Sequence, residues 1–185
     1  MIDIESVPPV PAYRIRHAEP LDAAGYIALI RSILRETPRV DTPYAPDEFD
    51  PPVEAIRERI RTVTSSANSC FIVAEANRRI IGALTCGGGT LRADRHMTAL
   101  GVYVLRDWRD QGVGTTLMDA AMTWALMQPE VRRVELEVMT TNARAIHLYE
   151  KFGFEREGIR RHLYLIDGQP VDIQMMARLF ERERL

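Results

Sequence analysis

The sequence predicts an α/β (α+β) fold: one mixed sheet with helices on its faces. Two observations carry this. Apolar runs of strand length and amphipathic stretches of helical period alternate as strand, two helices, three strands, helix, strand, helix, two strands. Hairpin connections fall in the middle of the chain, while later strands are joined by helical stretches long enough for a crossover, which a mixed sheet requires.

Tyr13-Arg14-Ile15-Arg16 alternates with period 2 and reads as the first strand. Pro20 to Leu34 sets Leu21, Ala24, Ile27, Ala28 and Leu34 on a helical stripe. A proline-rich loop follows from Arg35 to Pro52, with the acidic run Asp47-Glu48-Phe49-Asp50. Val53, Ile56, Ile60 and Val63 mark one face of a second helix. Cys70 to Glu75 and Ile80 to Leu84 are strands around a polar turn at Asn77-Arg78-Arg79. Gly87-Gly88-Gly89 marks a bend or bulge near the end of the latter strand. His96 to Val104 is a fourth strand, Gly112 to Met127 a helix ended near Pro129, and Val134 to Met139 a fifth strand. Asn142 to Phe152 is a helix stopped by Gly153. Extended pieces at Phe154 to Ile159 and Pro170 to Ala177 complete the sheet.

A length of 185 residues suits a single domain spanning 1–185, with residues 1–11 as a loose N-terminal segment. That segment has acids and prolines rather than a basic stretch and an apolar run, so it does not read as a signal peptide. No run of eighteen apolar residues marks a membrane span. The net charge of −2 argues against nucleic-acid binding driven by phosphate neutralisation. Cys70 and Cys86 sit in strand-like runs without metal-ligand spacing; buried reduced thiols, a cytoplasmic location and no metal are the expectations.

The informative stretch runs from Val102 to Thr115. An apolar strand enters a short polar loop, and a helix starts at two closely spaced glycines, Gly112 and Gly114. A helix N-terminus has free N–H groups and partial positive charge, and glycines let a phosphate approach them. Arg109 could add a full charge, so a diphosphate is a natural guest. An ordinary glycine-containing turn has the same outline. Neither a Gly-Lys-Ser/Thr phosphate loop nor a third glycine of a dinucleotide fingerprint is present, since Leu117 stands at that position.

Arg109-x-x-Gly112-x-Gly114, behind a strand ending Val102-x-Val104, resembles the pyrophosphate-binding motif of the GNAT acetyltransferases. Glu137-Val138, Asn142, Ala145-Ile146 and Leu148-Tyr149-Glu150-Lys151-Phe152-Gly153-Phe154 resemble the second signature of that family, in the right order downstream. The resemblance implies about seven strands splayed between the fourth and fifth, about four helices, and an N-acetyltransferase using acetyl-CoA. It implies that the amides of Gln111, Gly112, Val113, Gly114 and Thr115, with Asp110 and Arg109 nearby, cradle the pyrophosphate. It also implies that the backbone of Val102, Tyr103 and Val104 pairs with the pantetheine arm, and that Tyr149 is the general acid. Asn142, two helical turns before Tyr149, contacts pantetheine or substrate in this reading, although Asn is also a favoured N-cap.

The general base stays open. The fourth strand lacks an acid before Val102; His96 has a suitable intrinsic pKa, and Glu75, Glu135 and Glu137 lie at or within strands and could act through water. His17, His147 and His162 read as structural. The loop from Asp41 to Asp50, with Asp47, Glu48, Tyr44 and Phe49, could attract a cationic amine or be a solvated connection. The tail from Glu157 to Met176 resembles members acting on small primary amines, so the expected acceptor is a small amine or amino acid. A protein N-terminal acetyltransferase and a non-catalytic acyl-CoA sensor are the alternatives. Exposed C-terminal strands offer an edge for a homodimer.

Overall fold

The computed structural model describes residues 12–37 and 42–181. The segment 1–11 and Asp41 of the acidic loop lie outside them. The strands are β1 (Arg14–His17), β2 (Cys70–Ala76), β3 (Arg79–Gly88), β4 (Met97–Val104), β5 (Arg133–Met139), β6 (Glu155–Ile166) and β7 (Gln169–Leu179). The helices are α1 (Ala23–Leu34), α2 (Val53–Thr64), α3 (Val113–Met127) and α4 (Ala143–Lys151), and the succession is the one the sequence predicts.

The seven strands form one sheet in the order β1-β2-β3-β4-β5-β7-β6. Every pairing is antiparallel except β4 with β5. That parallel pairing is short: Met97, Thr98 and Ala99 meet Arg133, Val134 and Glu135, and from Leu100 onward the two strands part. The sheet is therefore split at its centre, as the resemblance implies.

Helices cover both faces. The ring of Tyr26 on α1 meets Phe71 on β2 edge-on at 5.0 Å. A Cβ built on Gly82 of β3 would lie 3.1 Å from Leu117 and 3.3 Å from Val113 of α3. Phe71 pairs with Thr85, of opposite parity to Gly82, so α1 and α3 lie on opposite faces. Cover on both sides explains why β2 buries Cys70, Phe71, Ile72, Val73 and Ala74 in succession rather than in alternation.

Several expectations are corrected in detail. The helix read from Pro20 opens as a 3₁₀ turn, Pro20–Asp22, and becomes α-helical at Ala23. Gly112 and Asn142 are caps rather than first helical residues, and His96 precedes β4. The two short C-terminal pieces are one long hairpin, Glu155–Ile166 with Gln169–Leu179. Its tip is Asp167-Gly168, with φ of 51° and 76°, the two positive values a tight hairpin turn needs. β6 is an edge strand exposed along most of its length, so Arg160-Arg161-His162 carry no apolar alternation to reveal it.

Two glycines of the triplet, Gly88 and Gly89, have a packing cause. A Cβ on Gly88 would fall 2.1 Å from the Asn68 side chain, and one on Gly89 2.3 Å from the Asp94 backbone. Asn68, buried, donates to the Gly89 and Arg95 carbonyls at 2.9 and 3.0 Å and accepts from the Ser66 hydroxyl at 2.7 Å. The glycines let a polar latch close between the start of β2 and the end of β3.

Candidate active site

The split between β4 and β5 opens a cavity of about 540 Å³. Its walls follow from strand register. Leu105 donates its N–H to Ile81, so Tyr103 and Gly101, at every second position, bond toward β3. Val102 and Val104 then point their N–H and C=O groups away from β3, into the split. The Val104 carbonyl is already bonded by Arg109 Nε at 3.0 Å. The Val102 groups and the Val104 N–H face an edge with no strand across it.

The side chains of these residues divide between the faces. Val104 pairs with Gly82 and points toward α3, where its Cγ2 would lie 3.9 Å from a Cβ on Gly114. Tyr103 pairs with Ala83 and points to the α1 and α2 face. Glu137 shares that face, because Glu135 pairs with Ala99. The cavity thus runs through the sheet from one face to the other.

On the α3 face the wall is a helix N-terminus. Gly112 caps α3 with φ of 82°, a conformation other residues adopt only with strain, and it contributes no capping side chain. The first N–H to find an acceptor back along the turn is that of Thr116, bonded to the Gly112 carbonyl at 2.9 Å. The preceding N–H groups lack intrahelical partners, and their partial positive charge borders the cavity, which Gly112, Gly114 and Thr115 line.

Not every motif residue reaches the cavity. Val113 is fully buried in the core, and the Gln111 side chain folds back on the Asp107 carbonyl. Arg109 lines the cavity, yet its guanidinium is held by Glu36 at 2.8 Å, a carboxylate 8% exposed. Arg109 ties the C-terminal end of α1 to the end of β4, so part of its charge is spent within the fold. Asp110, at φ of 60°, pairs instead with Arg144 of α4 at 3.1 Å.

α4 supplies the opposite wall. Asn142 does both things its sequence allows: its Oδ1 accepts from the Ala145 N–H at 3.1 Å, capping α4, and it lines the cavity. Two turns on, Tyr149 is 7% exposed, packs on Phe154 at 6.0 Å and also lines the cavity. Burial, and then the neighbouring Tyr103, push the Tyr149 phenol well above its ordinary pKa. Burial likewise pushes Tyr103 up to about 12. Both phenols are protonated acids at neutral pH.

Glu75 and His96 are not brought to the cavity. Glu75 faces β1, where it pairs with Arg16 at 2.8 Å and Arg14 at 3.1 Å; these arginines hold its carboxyl below the usual range. His96 is exposed before β4, its carbonyl accepting from Arg132 and Arg133 at the far, closed end of the split. Glu135 is tied to Arg133 at 2.9 Å. Glu137 is the carboxylate that β5 presents to the cavity, paired with Arg160 at 2.6 Å. His147, read as structural, lines the cavity as well, as does Arg144, which the sequence reading missed. Helical period gave no signal for either, because both lie about half a turn away from the side of α4 that carries Asn142 and Tyr149.

The acidic loop spends much of its charge locally. Asp50 pairs with Arg31, and Glu48 accepts from the Ala45 N–H at 2.6 Å. Among the described residues no group of three or more His, Cys, Asp or Glu is placed to hold a metal, and no helix is long and apolar enough to cross a membrane.

Comparison with known proteins agrees with this geometry. Residues 28–154 match the family described as Acetyltransferase (GNAT) family. The chain is 33% identical over 108 residues to the L-amino acid N-acetyltransferase AaaT of Escherichia coli, covering 58% of this chain and 67% of that protein. It is 31% identical over 173 residues to an N-alpha-acetyltransferase of Sulfurisphaera tokodaii, covering 89% and 92%. A crystal structure of a GNAT-family acetyltransferase from Streptococcus pneumoniae superposes with a TM-score of 0.87 at 29% identity, covering 91% of this chain and all of that one.

Proposed function

The chain belongs to the acetyltransferase (GNAT) family and is an acyltransferase; from that premise we propose that it moves an acetyl group from acetyl-CoA to a primary amine of a small molecule or amino acid. The observation that carries the reading is the continuity of the cavity. An uncapped helix N-terminus, an unpaired strand edge and a buried phenol line one passage through the sheet.

Each part matches a need of the donor. The amides of Gly112 to Thr115 face a diphosphate with partial positive charge. Arg144, on release from Asp110, adds a cation at the same mouth. The Val102 backbone and the Val104 N–H pair with the amides of the pantetheine arm as an added strand would. An N–H of this edge polarises the thioester carbonyl and stabilises the oxyanion as the amine attacks.

The acceptor enters from the other face, where Tyr103 and Glu137 lie. A protonated amine does not attack, so a proton must leave first. Glu137 takes it through water, in place of Glu75 and His96. The amine nitrogen forms its bond to the acetyl carbon, the carbon–sulfur bond breaks, Tyr149 gives its proton to the departing thiolate, and the second proton that nitrogen sheds in becoming an amide returns through water to the Tyr149 oxygen. The upward shift of that phenol keeps the proton available at neutral pH. Among the described residues that line the cavity there is no cysteine or serine for a covalent acyl-enzyme, so direct attack within a ternary complex is the route. A screen of amines for thiol release from acetyl-CoA tests this: turnover with small amines or amino acids is expected, and turnover confined to peptide N-termini would move the assignment to the protein-directed alternative.

A further inference from the structure

The half of the cavity that opens on the α1 and α2 face is walled by apolar side chains, and strand register puts them there. Met139 pairs with Ile173 across β5 and β7, so both share the face of Glu137, two residues before Met139. Val171, two residues before Ile173, pairs with Tyr164, which brings Tyr164 of β6 to that face as well. Tyr103 of β4 stands on it across the split. Ile33 near the end of α1 and Pro43 in the loop beyond complete the lining. All six line the cavity. Met139 and Ile173 are 5% and 3% exposed, yet neither joins the main apolar core. They form cavity wall rather than core.

Charge on this face is scarce. Two carboxylates among the described residues line the cavity. Asp110 belongs to the loop before α3 and pairs with Arg144; Glu137 alone stands on this face, and Arg160 holds it at 2.6 Å. An acceptor with one ammonium group can lose its proton toward Glu137 and bury the rest of its surface against the apolar walls. A polyamine or aminoglycoside would bring further ammonium groups to walls with no carboxylate left to receive them, and a desolvated charge without a partner is costly. We propose that these side chains hold the body of the acceptor, so that the substrates are primary amines carried on an apolar or aromatic frame, with polyamines and aminoglycosides excluded. The inference deepens the transferase reading and rests on it.

The test uses two pairs of acceptors at equal concentrations of free amine: phenylalanine with serine, and phenethylamine with spermidine. In each pair that is acetylated the parent enzyme is expected to favour the apolar member by about tenfold or more in kcat/KM, since a single methylene in an apolar pocket is worth about tenfold to two-hundredfold. Tyr164→Ser, at a half-buried position of the edge strand β6, is expected to narrow that preference about tenfold, through KM, with acetyl-CoA affinity by calorimetry as in the parent. A parent that shows no preference for the apolar member, or that prefers serine or spermidine, overturns the inference and leaves the transferase reading standing; so does a folded Tyr164→Ser variant that keeps the full preference. A folded parent that acetylates none of the four overturns that reading, and this inference with it.

Discussion

Substitution of the two motif glycines separates fold from function, because the structure gives them different duties. Gly112 sits at φ of 82°, where a Cβ would meet nothing closer than the Tyr13 hydroxyl at 3.6 Å. Space is therefore not what alanine lacks there; conformation is. A left-handed alanine costs about 1–2 kcal/mol, and each kcal/mol lowers Tm by about 2–4 °C in a chain of this size. Gly112→Ala should melt about 2–8 °C below the parent. Gly114 is the opposite case. It lies in the first turn of α3 with an ordinary φ, and a Cβ would touch Leu148 at 3.6 Å and Val104 at 3.9 Å. Those are van der Waals contacts, so alanine fits and gains helix propensity of up to about 1 kcal/mol. The same contacts place that methyl in the throat between β4 and α4. Gly114→Val, with two more carbons there, should keep its Tm within a few degrees yet bind acetyl-CoA at least about tenfold more weakly, the loss expected from one spoiled contact of about 1.4 kcal/mol. Thermal melts and calorimetric titration read the two effects separately. A Gly114→Val protein that is folded and binds acetyl-CoA as tightly as the parent would refute the reasoning.

Three further outcomes are expected. Tyr149→Phe should lower kcat by about a hundredfold or more through loss of a general acid, with acetyl-CoA affinity retained by titration; and because burial raises this phenol's pKa, its deprotonation should not depress the parent's rate until above the ordinary phenol range. Glu75→Gln should lower Tm at neutral pH without changing kcat. The depressed carboxyl stabilises the fold above its unfolded pKa and loses that effect as pH falls through its folded value, so the Tm gap should close only in acid, as melts across pH would show. Gly88→Ala should force the Asn68 side chain out of its latch and cost about 1–3 kcal/mol for groups left unbonded, measured by denaturant titration.

Where local pattern and chain order carry information, the sequence was legible. The alternation at Arg14 to Arg16, the apolar run at Cys70 to Ala74 and the stripe of α2 each have a pattern that belongs to one element type. Gly153 announced the positive φ that ends α4 and Asn142 its cap, because those residues have few other uses at helix ends. What stayed hidden depends on partners distant in the chain. Nothing near Arg109 shows that Glu36, 73 residues earlier, will take its charge. Nothing near Glu75 shows that it faces β1 rather than the split. The triplet at Gly87 to Gly89 looked like a bend because the Asn68 side chain that requires Gly88 lies some twenty residues upstream. The edge strand β6 escaped for a different reason: exposed on most of its length, it has no buried face to impose alternation.

The most direct test is a crystal structure of the protein with acetyl-CoA. The expected complex has its diphosphate at the amides of Gly112 to Thr115, its pantetheine hydrogen-bonded to the backbone of Val102 and Val104, and its sulfur within reach of the Tyr149 hydroxyl. Acetyl-CoA bound elsewhere on the surface, with the passage between β4 and β5 left empty, would contradict the account.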